Sequence, residues 1–389
     1  MYRVLCVSAL IIMLYMACKK PAANNAVNIN AHEPPQAAAA YDYTADTSLY
    51  KDTTFTNYFK RITGFIAGDG AYSVPQDNGK SLWLFGDSYI DNYDIATATV
   101  PCLFQVRNCG LLMDIAQPNI QSTYTGTGNP PSYFSFGQDN NYWFWPGAGY
   151  TYNDTMTIFL DRIRSTGNGP FAFEVVDSNY IARVPVGNPA QVSYIIQGSR
   201  NGIDFNKAVI NDVSFCGFTF IYGTKTNGFG NDVFLARFPT ADVNAAWQYY
   251  SDNGWVNDAA QAKVIYSEFT SSFYVVKVKE KYVMITTEFS VDCDQGKNIY
   301  VSVSNNPYGP FTNHHSVWEV DDTLNGHWPV FYIANAHPEF DNGYNQLLIT
   351  YCINGYGNCV TTCINGRMYP NTYRPKAIRV GYKRIDPAL

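Results

Sequence analysis

The stretch Gly68-Asp69-Gly70-Ala71-Tyr72-Ser73-Val74-Pro75, continued by Gln76-Asp77-Asn78-Gly79-Lys80 and Ser81-Leu82-Trp83-Leu84-Phe85-Gly86-Asp87-Ser88, reads as a β-hairpin. Two apolar runs flank Asn78-Gly79, and both of those residues tolerate positive φ. A two-residue turn centred there sets Asp69 opposite Ser88 and Asp87 opposite Gly70. The aspartates then become diagonal neighbours about 5–8 Å apart. Two carboxylates that close, flanked by small residues that leave room for a ligand, suit hydrolysis of a glycosidic bond. Asp69 and Asp87 are therefore the candidate catalytic pair. The structural alternative is that both end strands and bond nearby backbone amides.

The apolar core of this hairpin recurs along the chain. Leu82-Trp83-Leu84-Phe85 is followed by Thr157-Ile158-Phe159-Leu160, Phe218-Thr219-Phe220-Ile221, Tyr282-Val283-Met284-Ile285 and Gln346-Leu347-Leu348-Ile349. The spacing of about 60–75 residues is too long for one hairpin and suits a four-stranded sheet with its loops. Each unit has a second short run further on, from Gly110-Leu111-Leu112-Met113 in the first to Ala377-Ile378-Arg379-Val380 in the last. These runs are β-branched and aromatic and bounded by Gly, Asn and Pro. Five such units predict an all-β fold, a five-bladed β-propeller; a β-sandwich is the alternative.

The N-terminus stands apart. Arg3 precedes an almost wholly apolar run from Val4 to Met16, too short to span a membrane and of signal-sequence length. Leu14-Tyr15-Met16-Ala17-Cys18 resembles the bacterial lipoprotein cleavage box, with Tyr15 departing from its usual aliphatic residue. The resemblance implies lipidation at Cys18 and a membrane-anchored lipoprotein at the surface or in the periplasm of a Gram-negative cell. An ordinary signal peptide with an incidental cysteine is the alternative. From Lys19 to about Asp46 the chain is rich in Ala, Pro and Asn without apolar periodicity. The expected organisation is a signal over 1–18, a flexible linker over 19–57 and the propeller over 58–389.

The chain has 389 residues, a net charge of −6 and a pI near 5.4, which argue against nucleic acid as the main partner. Aromatic residues make up 16% of the chain, slightly more than all charged residues together at 15%. That balance suits an exported β-protein whose exposed aromatics can stack on sugar rings. Seven of the nine cysteines lie beyond the N-terminal segment, an odd number that leaves at least one thiol over. Cys102–Cys109 and Cys359–Cys363 would each close a short loop, and no paired CxxC spacing points to a metal site.

At the level of motifs, Asp69-Gly70-Ala71-Tyr72-Ser73, Leu82-Trp83-Leu84-Phe85-Gly86-Asp87-Ser88 and Ala336-His337-Pro338-Glu339-Phe340 resemble secreted five-bladed propellers of the glycoside-hydrolase type. Ser304-Asn305-Asn306-Pro307-Tyr308-Gly309-Pro310-Phe311 is similar to an outer-strand turn of arabinanase and family 43 propellers. The strongest likeness is to the DUF4185-type domain, some members of which are endo-arabinanases acting on D-arabinan; it spans roughly residues 58–385. The resemblance implies a glycoside hydrolase acting on a polysaccharide or glycoconjugate, arabinan-like furanosides included, with Asp69 and Asp87 as its acidic pair. A non-catalytic glycan-binding surface lipoprotein is the rival. The chain departs from family 43 enzymes, whose three carboxylates come from three separate blades.

Four further residues are candidates for substrate binding or for tuning the pair. Glu288 ends its apolar strand where Asp87 ends the first. His337 and Glu339 precede the last apolar strand, at an expected inner, channel-facing position, where His337 would also suit a channel cation. Trp145, in Trp143-Phe144-Trp145, is a possible sugar platform. No cofactor and no resident metal are otherwise implied. A structural role is the alternative for each of the four.

Overall fold

A computed structural model describes residues 41–127, 131–136, 141–167, 172–212, 216–228, 230–268, 270–355 and 362–389. The signal-like segment, Cys18 and most of the linker lie outside these residues. Five antiparallel sheets follow one another. The first is built from Tyr72–Pro75, Lys80–Phe85, Cys109–Asp114 and Ile120–Tyr124. The innermost strands of the next four are Tyr142–Tyr152, Asp204–Asn211, Thr270–Val278 and Val330–Ala336. All five recurring apolar cores fall on second strands, and the second short runs fall on third strands.

Period-2 alternation explains why these sheets become blades. In the first sheet Leu82 and Leu84 face one side and pack with Phe144, Ile158 and Leu160 of the second sheet. Trp83 and Phe85 face the other side and pack with Phe340, Leu348 and Ala377 of the fifth. The same holds around the ring. Separate buried clusters lie between sheets two and three, three and four, and four and five. The core is thus divided into five blade-to-blade interfaces around a central axis, which makes the fold a five-bladed β-propeller.

Two sequence expectations are corrected. Leu49–Lys51, assigned to the linker, forms the outermost strand of the fifth blade by pairing with Ile378–Val380. The ring is closed by the N-terminal end of the domain, and Asp42–Leu389 form one compact unit. Asp52 caps the helix Thr53–Tyr58 through the Phe55 amide and binds Arg379 at 3.0 Å. The cysteine pairing also differs. Cys102 is bonded to Cys363 across 261 residues, and Cys109 is a buried free thiol in the core. Cys359 lies outside the described residues.

The hairpin register is shifted by one residue. Tyr72 pairs with Leu84 and Pro75 with Ser81. Of the two turn residues only Gly79 has positive φ, at +78°. The loop is therefore three residues long, with Gly79 in the left-handed region closing it. Gln76 donates to the Lys80 carbonyl at 2.7 Å on the loop's flank. Beyond the blade the pairing resumes with Gly68 opposite Ser88, as Phe65–Gly68 meets Ser88–Ile90. Asp69 and Asp87 consequently stand opposite each other, not diagonally.

Candidate active site

Asp69 and Asp87 both line a cavity of about 1350 Å³ at the centre of the ring, to which every blade contributes: Trp145 from the second, Asp204 from the third, Phe273 from the fourth and Tyr332 from the fifth. Asp69 Oδ2 accepts the Tyr332 phenol at 2.8 Å and the Tyr373 phenol at 2.7 Å. Asp87 Oδ1 accepts Trp145 Nε1 at 3.3 Å and faces Arg107 Nη1 at 3.4 Å.

Burial raises both carboxyls. Their partners differ. For Asp69, the two phenols work against burial. For Asp87, burial and the charge of Asp69 outweigh Arg107 and Trp145, and its pKa is pushed up to about 7.

Local backbone devices make the geometry. Gly70 and Ala71 adopt positive φ, +95° and +49°, which turns the chain between Asp69 and the inner strand. The Gly86 amide donates to the Asp69 carbonyl at 2.8 Å. A Cβ on Gly86 would lie 2.7 Å from Asp69 Oδ1 and 3.3 Å from Trp145, so the site requires glycine there. Tyr332 reaches Asp69 from a strand irregularity between Tyr332 and Asn335. Ile333 within it has φ +50°, a strained conformation for a β-branched residue, and its amide is held by Ser272 Oγ at 2.8 Å.

A second charged group on the same cavity wall escaped sequence reasoning. Lys207 Nζ sits 2.5 Å from Asp204 Oδ2 and 3.3 Å from Asp161 Oδ2. Burial alone would raise Asp161, but Lys207 holds it below its ordinary range. Burial and the charge of Asp161 raise Asp204 well above its own. Asp161 is paired with Trp145 across the strands, which places it on the same face as that indole.

Of the four auxiliary candidates, Trp145 alone meets the pair. Glu288 accepts the Lys297 amide, the Asn298 amide and the Asn298 side chain at 2.8–3.1 Å. Burial opposes ionisation, yet these donors hold its pKa low; it fastens the following loop and does not line the cavity. His337 is sealed between blades, its ring centroid 4.3 Å from that of Trp83 and tilted against it. Its Nδ1 meets Ser73 Oγ at 2.6 Å and its Nε2 meets Thr350 Oγ1 at 2.8 Å. Burial depresses its pKa to about 3, and with both ring nitrogens engaged it has no lone pair for a channel cation. Glu339 accepts from Ser81 at the turn end of the first hairpin, away from the aspartates. Arg107, Tyr332 and Tyr373 were missed because each lies far from Asp69 or Asp87 in sequence or on a loop without periodicity. Locating the fifth blade's inner strand would have found Tyr332.

Residues 52–382 match the family described as a domain of unknown function, DUF5005, and the chain belongs to that family. The DUF4185 likeness is one of motifs. No curated protein matches. Among solved structures, the chain is similar to a protein of Bacteroides ovatus ATCC 8483 classed provisionally as a hydrolase, with 20% identity over 85% of this chain and 89% of that one and a TM-score of 0.62. It also resembles an α-L-arabinanase mutant of Cellvibrio cellulosa (12% identity, 84% and 98% covered, TM-score 0.44) and a GH43_1 enzyme of Xanthomonas citri (10% identity, 84% and 92% covered, TM-score 0.44). At 20% identity the first of these likenesses concerns the fold alone.

Proposed function

We propose that this member of the DUF5005 family is a glycoside hydrolase acting on a polysaccharide or glycoconjugate. The observation that carries the reading is the opposed pair Asp69/Asp87, lining one cavity in unequal surroundings. Asp87, half-protonated near neutral pH, is the general acid that protonates the leaving oxygen. Asp69, with its anion stabilised by two phenols, attacks the anomeric carbon or takes the proton of an attacking water. Trp145 offers a donor to Asp87 and an aromatic face to a sugar. A cavity of about 1350 Å³ has room for several sugar units. The motif resemblance makes arabinan-like furanosides the first substrates to assay. A purely glycan-binding propeller has no need of opposed acids in one cavity, which favours hydrolysis over that rival. We place the mature protein on a membrane through a lipidated Cys18. Cys18→Ala should release it to the soluble fraction, and unchanged partitioning contradicts the anchor.

The test is a hydrolysis screen over plant and bacterial glycans with Asp69→Asn and Asp87→Asn as controls. Each variant should fold and lose activity by a factor of about 10³ or more, within the range one general acid or base contributes. Binding of a glycan without turnover by the wild type supports the rival.

A further inference from the structure

Arg107 is unlike the arginines that tie the chain together nearby. Arg374 donates to the Ile66 carbonyl, Asn371 Oδ1 and the Arg61 carbonyl. Arg379 bonds Asp52 and the Phe340 carbonyl. All three nitrogens of Arg374 and two of Arg379 are bonded within the protein. Arg107 has one side-chain bond among the described residues, the 3.4 Å contact of Nη1 with Asp87 Oδ1. Its guanidinium is held instead by rings, 4.0 Å over Trp143 and 4.8 Å over Phe104. Ring contacts fix a guanidinium without consuming its N–H donors. The side chain is 28% exposed and lines the cavity, and no bond from Nε or Nη2 is found among the described residues.

A pre-positioned guanidinium edge with unused donors is the partner an oxyanion selects, through two parallel charge-assisted hydrogen bonds. Its position says where that oxyanion sits. Arg107 touches Asp87 and not Asp69, hence it lies toward the leaving side of the bond to be cut, an assignment that rests on the hydrolase reading above. We propose that Arg107 recognises a carboxylate, sulfate ester or phosphate ester on the sugar next to the scissile bond, and that the substrate is an acidic glycan. When bound, that oxyanion takes up the free donors of Arg107 and places a negative charge near Asp87, which favours the protonated acid.

Free monosaccharides test this without any bond to hydrolyse. Binding to the wild-type protein is followed by tryptophan fluorescence, with Trp143 and Trp145 as reporters. The probes are D-galactose, D-galacturonate, galactose 6-sulfate and galactose 6-phosphate, with D-glucose and D-glucuronate as a second matched pair. At least one anionic sugar should bind about tenfold or more tighter than its neutral parent, the worth of one charge-assisted bond. The ranking of the three anions identifies the group. Arg107→Gln should abolish the margin, and Arg107→Lys, which keeps the charge but not the fork, should retain only part of it. If the Gln variant does not fold, the Lys variant carries the comparison. Equal binding of neutral and anionic sugars, or a margin that both variants keep, overturns the proposal. Hydrolysis of neutral glycans with no anion preference removes this inference and leaves the hydrolase reading standing; anion preference without turnover removes the hydrolase reading and the leaving-side assignment with it, and leaves Arg107 as an anion-binding residue.

Discussion

Asp87 carries the pH behaviour of the site. With its pKa near 7, the acid form is lost as pH rises, and turnover should fall through about pH 7. Trp145→Phe removes a donor to the Asp87 anion and should move that descending limb to higher pH, read from kcat/KM against pH. The same residue costs stability. Its folded pKa lies above the unfolded one, so between about pH 4 and 7 the native state holds a proton that the unfolded chain has released, and stability declines as pH rises through that window. Asp87→Asn keeps an acceptor for Trp145 and Arg107 without the buried charge. It should be inactive yet melt about 2 °C or more higher than wild type at pH 8. Gly86→Ala should fold but lose most activity, because its Cβ intrudes on Asp69 Oδ1 and Trp145. The hairpin pattern singled out Asp69 and Asp87 and the Trp143-Phe144-Trp145 run singled out Trp145, and all three line the cavity. Glu288 and His337 were misread because strand-end position does not reveal that neighbouring loops and blades already satisfy their polar atoms.

The first hairpin shows how a small error in an element leaves its consequence intact. Asn78-Gly79 announced the turn, but the left-handed residue is Gly79 alone, and the three-residue loop moves the register by one. The aspartates remain neighbours and become directly opposed. The closing strand Leu49–Lys51 was hidden because three residues cannot display a period, and its partner lies more than 300 residues away. Its anchor is testable. Asp52→Ala leaves Arg379, 5% exposed, without its carboxylate and uncaps the following helix. It should cost about 3 kcal/mol or more in chemical denaturation. A loss below about 1 kcal/mol means the closure does not depend on this pair.

At the scale of the molecule, five interfaces between blades supply the core, and the ring encloses the cavity where the candidate residues meet. The fivefold recurrence of apolar runs made this architecture readable, since each run must face a neighbour on both sides of its sheet. The chemistry was less readable: Tyr332 and Tyr373 reach Asp69 only when the ring closes, Arg107 meets Asp87 from a loop, and Asp161 joins Asp204 and Lys207 across the second and third blades. The proposed function rests on Asp69 and Asp87 together cleaving glycosidic bonds. The most direct measurement is release of reducing ends from a glycan panel, acidic polysaccharides and arabinans included, by wild type, Asp69→Asn and Asp87→Asn at equal folded concentration. The wild type should turn over at least one glycan, and each variant should lose about 10³-fold or more. Near-normal activity in either variant would contradict it.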